Sequence, residues 1–147
     1  MIEAVRVLTA HDATAVAELE ARARAELVQQ RGGPVHLSEH PVVGEWAPLV
    51  DRADRAVWVA TYDDLVVGYL ELALRDDGTA EVLQVYVRPE ARQLGFGDWL
   101  LEAALAHARS SGCTALEGTA LPGDRDTKNL YERAGITARR ITLWKAL

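Results

Sequence analysis

Val87-Arg88-Pro89-Glu90-Ala91-Arg92-Gln93-Leu94-Gly95-Phe96-Gly97-Asp98-Trp99-Leu100-Leu101 joins a strand-like run to an amphipathic helix through a turn that carries two glycines. Upstream, Ala80 to Val87 alternates and is rich in β-branched and aromatic residues; downstream, Leu100, Leu101, Ala104, Leu105 and Ala108 recur at helical spacing. The glycines therefore stand at a helix N-terminus. There the first amides lack intrahelical partners and the macrodipole is positive, so a turn bare of side chains can hold an anion on main chain alone. Arg92 adds a fixed positive charge. A P-loop is excluded because no Lys-Ser or Lys-Thr follows Gly97. A dinucleotide turn gains from Glu117, which stands about twenty residues past Gly97, where a ribose-binding acid is expected. Against it, Leu100 fills the third glycine position, and Arg88 to Leu94 sets the strand too far from the glycines.

Outward from this turn, 147 residues suit one domain and are too few for a nucleotide domain plus a separate substrate domain. No apolar run approaches a membrane span, and Met1-Ile2-Glu3-Ala4-Val5-Arg6 lacks the apolar core of a signal peptide, so the expected location is cytoplasmic. Cys113 is the only cysteine, which excludes an internal disulfide and a thiolate metal site. His36 and His40 could share a helical face, but Pro34 and Pro41 bracket them and argue against a continuous helix, so no metal is expected. A net charge of -6 without a basic block makes nucleic acid an unsuitable partner and favours cationic small molecules or peptides.

Val5 to Leu8 reads as a first strand, followed by a helix capped by Asp12 or Thr14 that runs to about Gln30 and stops at Gly32-Gly33-Pro34. A second helix is expected within Val42 to Arg55. Ala56 to Tyr62, Leu65 to Leu74 and Thr79 to Val87 then form an antiparallel meander, turning at Asp63-Asp64 and Asp76-Asp77-Gly78. After the long helix, Thr114 to Thr119 reads as a strand parallel to its predecessor, because a helical crossover reaches it. A helix from about Asp126 to Ala134 and a last strand from Ile141 to Leu147 complete the chain.

In this order the chain resembles the GCN5-related N-acetyltransferase (GNAT) superfamily over nearly its whole length. Arg92-Gln93-Leu94-Gly95-Phe96-Gly97 fits the family's R/Q-x-x-G-x-G/A acyl-CoA motif, Val85-Tyr86-Val87-Arg88-Pro89 its V-x-V-x-P lead-in, and Asn129-Leu130-Tyr131-Glu132-Arg133-Ala134-Gly135-Ile136 the helix that reads L-Y-E-K-x-G-F. The resemblance implies an α/β (α+β) fold with a mixed, mostly antiparallel sheet of about six to seven strands, flanked by about four helices and opened by a splayed, V-shaped cofactor cleft. It further implies that acetyl-CoA pairs its pantetheine amides with Val85 and Val87. Its pyrophosphate rests on amides between Gln93 and Asp98, that is, on Gln93, Leu94, Gly95, Phe96, Gly97 and Asp98, with Arg92 and Asn129 beside it. Asp98 departs from this pattern, since its carboxylate would repel the anion unless it turns away. Asp124, seven residues before Tyr131, stands where many relatives carry asparagine.

Acetyl transfer to an amine needs a neutral nucleophile, a donor for the developing oxyanion and a proton for the departing thiolate. By resemblance Tyr131 is the thiolate's partner, a main-chain amide near Val85 the oxyanion donor, and Glu81 the base. Glu71 and Glu117 are weaker candidates on neighbouring strands. His36, His40 and Trp46 fall in the region that borders the acceptor cleft in relatives. The expected activity is N-acetyl transfer from acetyl-CoA to a primary amine, without a metal; a catalytically silent acyl-CoA sensor is the other reading. The last strand, Ile141 to Leu147, could pair across a homodimer.

Overall fold

A computed structural model describes residues 2–147. Five strands form one sheet in the order β1 (Glu3–Val7), β2 (Arg55–Tyr62), β3 (Leu65–Leu74), β4 (Thr79–Val87) and β5 (Ala115–Gly118). The first three junctions are antiparallel and β4 with β5 is parallel. Asp63 and Asp64 make the two-residue turn between β2 and β3, both with positive φ (48° and 68°), as a primed hairpin turn requires. Gly78, at φ 84°, closes the next hairpin.

Alternation sorts the strands' side chains between two cores. On one face Trp58, Leu70, Leu72, Ala80 and Val82 pack with Leu100, Leu101, Ala104 and Ala108 of α3 (Phe96–Ser110) and with Leu130 and Tyr131 of α4 (Arg125–Arg133). On the other, Val57, Val59 and Tyr69 meet Val16 and Leu19 of α1 (Ala13–Leu27), together with Trp46 and Leu49. The period of 2 in the strands and 3.6 in the helices puts an apolar row on each contact. No helix among the described residues is long and apolar enough to cross a membrane.

The fold departs from three sequence expectations. Residues 141–147 form no strand, so the sheet has five strands rather than six or seven; the segment is exposed and pairs with no strand among the described residues. Between Val42 and Arg55 only a 3-10 turn, Ala47–Asp51, replaces the expected helix. The Glu20 carboxylate takes the amides of Val43 and Gly44, and Gly44 adopts φ 71°, which together prevent a helical start there. The actual second helix, α2 (Gly33–Glu39), is earlier and includes His36. Pro34 opens it at a position where its missing N–H costs nothing, so the prolines bracket a short helix instead of preventing one. His36 and His40 stack, with ring centroids 4.1 Å apart.

Candidate active site

The β4–β5 pairing lasts only from Thr79–Ala115 to Val82–Gly118, whereas β3 accompanies β4 as far as Val87. Register shifts by one residue between the pairs Glu71–Gln84 and Leu72–Val82, leaving Leu83 as an extra residue in β4. Such a bulge bends its strand and re-aims the residues that follow. Beyond Val82, β4 therefore keeps one neighbour and loses the other: the strands splay, and the segment that holds Val85 and Val87 borders the opening. Part of that border is already engaged, since Arg92 Nε donates to the Val87 carbonyl at 2.8 Å.

The glycine turn lies at the end of this edge. Gly95 caps α3 with φ 88°, and a side chain built there would meet nothing within 4 Å, so its surroundings are open. Trp99 N donates to Gly95 O, which leaves the amides of Phe96, Gly97 and Asp98 ahead of the first helical hydrogen bond. Gln93 also has a positive φ, 67°, so two left-handed residues, Gln93 and Gly95, stand just before α3. Asp98 points elsewhere: its carboxylate accepts from Arg133 Nε at 2.9 Å, tying α3 to α4 and drawing the negative charge away from the helix end. Gly97 faces Leu130, whose methyls lie 3.5–3.6 Å from where a Cβ would stand. The segment before the turn is fastened to α1, with Arg22 bidentate on Glu90 (2.6 and 3.2 Å) and Glu26 accepting from both Tyr86 Oη and Arg92. Arg92 thus lies over the Tyr86 ring, 5.4 Å from its centroid, rather than free at the turn.

Tyr131 occupies the point of divergence. A Cβ on Gly118 would lie 2.2 Å from its Oη and 2.6 Å from its Cζ, so the phenol fits only because β5 ends in glycine. The side chain is 6% exposed, and burial, then the charges of Glu81 and Asp124, push its pKa upward; the hydroxyl stays protonated and available as a donor. Asp124 is the N-cap of α4, accepting from Thr127 N at 3.2 Å and Thr127 Oγ1 at 2.8 Å, so it orients the helix that carries Asn129 and Tyr131. Glu81 stands directly opposite Ala73 on β3 and Glu117 on β5. Arg75 bridges the two acids, bonded to Glu81 and, at 2.7 Å, to Glu117.

Sequence reasoning missed the buried polar set on the α1 side. Glu20 is fully buried and accepts from Val43 N (3.0 Å), Gly44 N (2.9 Å), Trp46 Nε1 (3.3 Å) and Gln84 Nε2 (2.9 Å). Gln84 Nε2 also donates to Glu71 at 3.1 Å and its Oε1 accepts from Tyr69 Oη at 2.7 Å. Burial raises the Glu71 pKa, against the Gln84 hydrogen bond and Arg55, 3.6 Å away. The available signal was a glutamate at position 20 in the apolar row begun by Val16 and Leu19, together with polar Glu71 and Gln84 inside otherwise apolar strands. Trp46 belongs to this core, edge-on to Tyr69 at 5.3 Å, and does not line an opening. His36 is half-buried on α2, with its pKa lowered by burial and by His40. The turn between α1 and α2 reaches the loop after β5, where Gln30 Nε2 donates to the Pro122 carbonyl. Among the described residues no group of three or more His, Cys, Asp and Glu side chains could hold a metal ion.

The profile of the Acetyltransferase (GNAT) family matches residues 14–136, a span that contains the splay, the glycine turn and Tyr131. The chain belongs to the GNAT family. Solved structures share the whole GNAT fold at low identity. A variant of the BH1408 protein of Bacillus halodurans is 19% identical with a TM-score of 0.81, covering 100% of this chain and 99% of its own. The ribosomal-protein-alanine N-acetyltransferase of Brucella melitensis biovar Abortus is 18% identical with a TM-score of 0.70, covering 100% and 99%. The aminoglycoside N-acetyltransferase AAC(6')-Iy, solved with a bisubstrate analogue of CoA and an acetylneamine, is 15% identical with a TM-score of 0.73, again covering 100% and 99%.

Proposed function

We propose that this GNAT protein is an N-acetyltransferase that moves the acetyl group of acetyl-CoA to a primary amine of a small molecule or a peptide. The observation that carries the reading is the seat of Tyr131: a buried, protonated phenol where β4 and β5 part, next in sequence to Leu130, which lies against the glycine turn. The chain's groups fit the cosubstrate. Amides from Gln93 to Asp98 would take the diphosphate, with Asp98 held off by Arg133. The edge of β4 at Val85 and Val87 would take the pantetheine, with Asn129 on the facing helix. Acetyl-CoA supplies an acyl thioester. An amide near Val85 then donates to the carbonyl oxygen as charge develops there.

As the amine nitrogen bonds to the acyl carbon and the carbon–sulfur bond breaks, one proton leaves the amine and one is needed at sulfur. Tyr131 transfers the second to sulfur, or hydrogen-bonds the departing thiolate until water protonates it. Glu81, directly or through water, takes the first, and Arg75 holds its carboxylate in place. Glu71, buried and with its pKa raised chiefly by that burial, is a second candidate base. The second reading of the whole, a silent acyl-CoA sensor, is favoured by the same Arg75, because the guanidinium occupies the carboxylate that would have to meet the amine. Thiol release from acetyl-CoA across a panel of small and peptide amines separates the two. Turnover with one amine class supports the enzyme, and binding of acetyl-CoA without turnover supports the sensor.

A further inference from the structure

We propose that Gln84 is a positioning residue that aims the Val85 amide at the thioester oxygen of acetyl-CoA; this rests on the reading of the β4 edge as the cosubstrate's seat. Gln84 is the first residue after the bulge at Leu83 and stands opposite Glu71 on β3. Arg88 N donates to Val67 O, and along an antiparallel ladder alternate residues turn both backbone groups to the same neighbour. Tyr86 and Gln84 therefore face β3, while Val85 and Val87 face the side where β5 has ended at Gly118. Among the described residues no ladder bond holds the Val85 amide on that side. Its direction depends on the two residues that flank it.

Both flanking side chains are anchored to α1. Tyr86 Oη donates to Glu26, and Gln84 Nε2 donates to Glu20 at 2.9 Å. Gln84 is held on β3 as well, where Nε2 donates to Glu71 at 3.1 Å and Oε1 accepts from Tyr69 Oη at 2.7 Å. Two carboxylates that only accept meet the amide nitrogen, and a phenol that donates meets its oxygen. Reversed, that oxygen would face both acids, so one orientation alone satisfies all three partners. The anchor on α1 is fixed in turn, because Glu20 also takes the amides of Val43 and Gly44 and the indole N–H of Trp46.

A bulge twists and bends its strand, and past Val82 this one has a neighbour on one side only. Three bonds from a single side chain, to α1 and to β3, restrain the backbone at the residue next to Val85. That restraint matters to chemistry because an oxyanion donor acts only when it is aimed before charge develops. Gln84 lies on the α1 face, whereas Val85 and Val87 pack on the α3 face, so it acts through the Val85 backbone and not on the reacting atoms.

Infrared difference spectra of acetyl-CoA labelled with 13C at the acetyl carbonyl test this, beside calorimetric affinity and kcat with the best amine of the panel. The proteins are wild type, Gln84→Met, Tyr69→Phe and Asp12→Asn. Methionine fills the glutamine's place without its hydrogen bonds; Tyr69→Phe removes only the bond to Oε1 and serves if Gln84→Met does not fold. Wild type should lower the carbonyl stretch below that of free acetyl-CoA. Gln84→Met should return it toward the free value and lower kcat by roughly ten- to a hundredfold at nearly unchanged affinity, with Tyr69→Phe changing in the same direction by less. Asp12→Asn, weakened at its bonds with Arg6, should keep the wild-type stretch and kcat. A wild-type carbonyl at the free frequency overturns the proposal, as do folded variants with the wild-type stretch and rate, or an equal rate loss in Asp12→Asn, which would make stability the cause. A lowered stretch in wild type that the variants lose, without turnover of any amine, upholds the role of Gln84 and refutes the transferase reading; failure of wild type to bind acetyl-CoA overturns both.

Discussion

Gly118→Ala tests the seat of Tyr131 without touching the tyrosine. The added methyl would stand 2.2 Å from Oη, 2.6 Å from Cζ and 2.9 Å from Cε1, where ordinary van der Waals contact begins at 3.4 Å. The ring must therefore retreat by about 1 Å, or β5 must move by the same amount. Tyr131 is packed at 6% exposure, so the displacement stresses the core, at a cost of about 1–3 kcal/mol in stability. A 1 Å misplacement of a catalytic group lowers a rate by about a hundredfold. The turn at Gly95 lies on another element and stays as it is, so acetyl-CoA affinity should change little. The assay is steady-state kcat with the best amine from the panel, beside calorimetric acetyl-CoA binding and thermal unfolding. A folded Gly118→Ala protein with wild-type kcat would refute the reasoning, because the phenol's position would then be immaterial to turnover.

Three further outcomes are expected. Glu81→Gln keeps shape and loses basicity, so the rate loss should be greatest at low pH, where the amine is most fully protonated; a wild-type pH profile would move the role to Glu71 or water. Asp12, drawn down to about 2 from 3.8 chiefly by its hydrogen bonds with Arg6, contributes stability that is present above 3.8 and lost as pH falls toward 2. The full shift corresponds to about 2.4 kcal/mol and solvent screening at half-exposed Arg6 reduces this, so Asp12→Asn should lose about 1 kcal/mol in urea unfolding at pH 7 and nearly nothing at pH 2. Glu20→Ala strands four donors and should cost more than about 2 kcal/mol in the same assay; a loss under 0.5 kcal/mol would mean that water takes over their hydrogen bonds.

The meander, the turn and the crossover were legible because each has a local cause. Leu65–Leu74 and Thr79–Val87 are the strands expected from the alternation, and the parallel β5 followed from the helix before it. What the sequence hid depends on distant partners. Gly118 reads as a strand end until Tyr131, thirteen residues later, is seen resting on it. Glu20 reads as solvent-facing charge until the loop Val43–Trp46 folds over it, and that fold is also why the expected helix there does not form. Asp98 looked adverse to an anion; its answer, Arg133, lies on another helix. The alternation of Ile141 to Leu147 suggested a last strand that does not form, because alternation alone supplies no neighbour to complete a ladder.

Single-turnover thiol release by wild type and Tyr131→Phe, with acetyl-CoA affinity measured on the same preparations, bears most directly on the proposed chemistry. The phenol lies in an apolar core, so the variant keeps its packing and should bind acetyl-CoA as the wild type does. The account predicts a rate lower by roughly ten- to ten-thousandfold at unchanged affinity, the span between one lost hydrogen bond and lost general-acid catalysis. Equal single-turnover rates in the two proteins would contradict it.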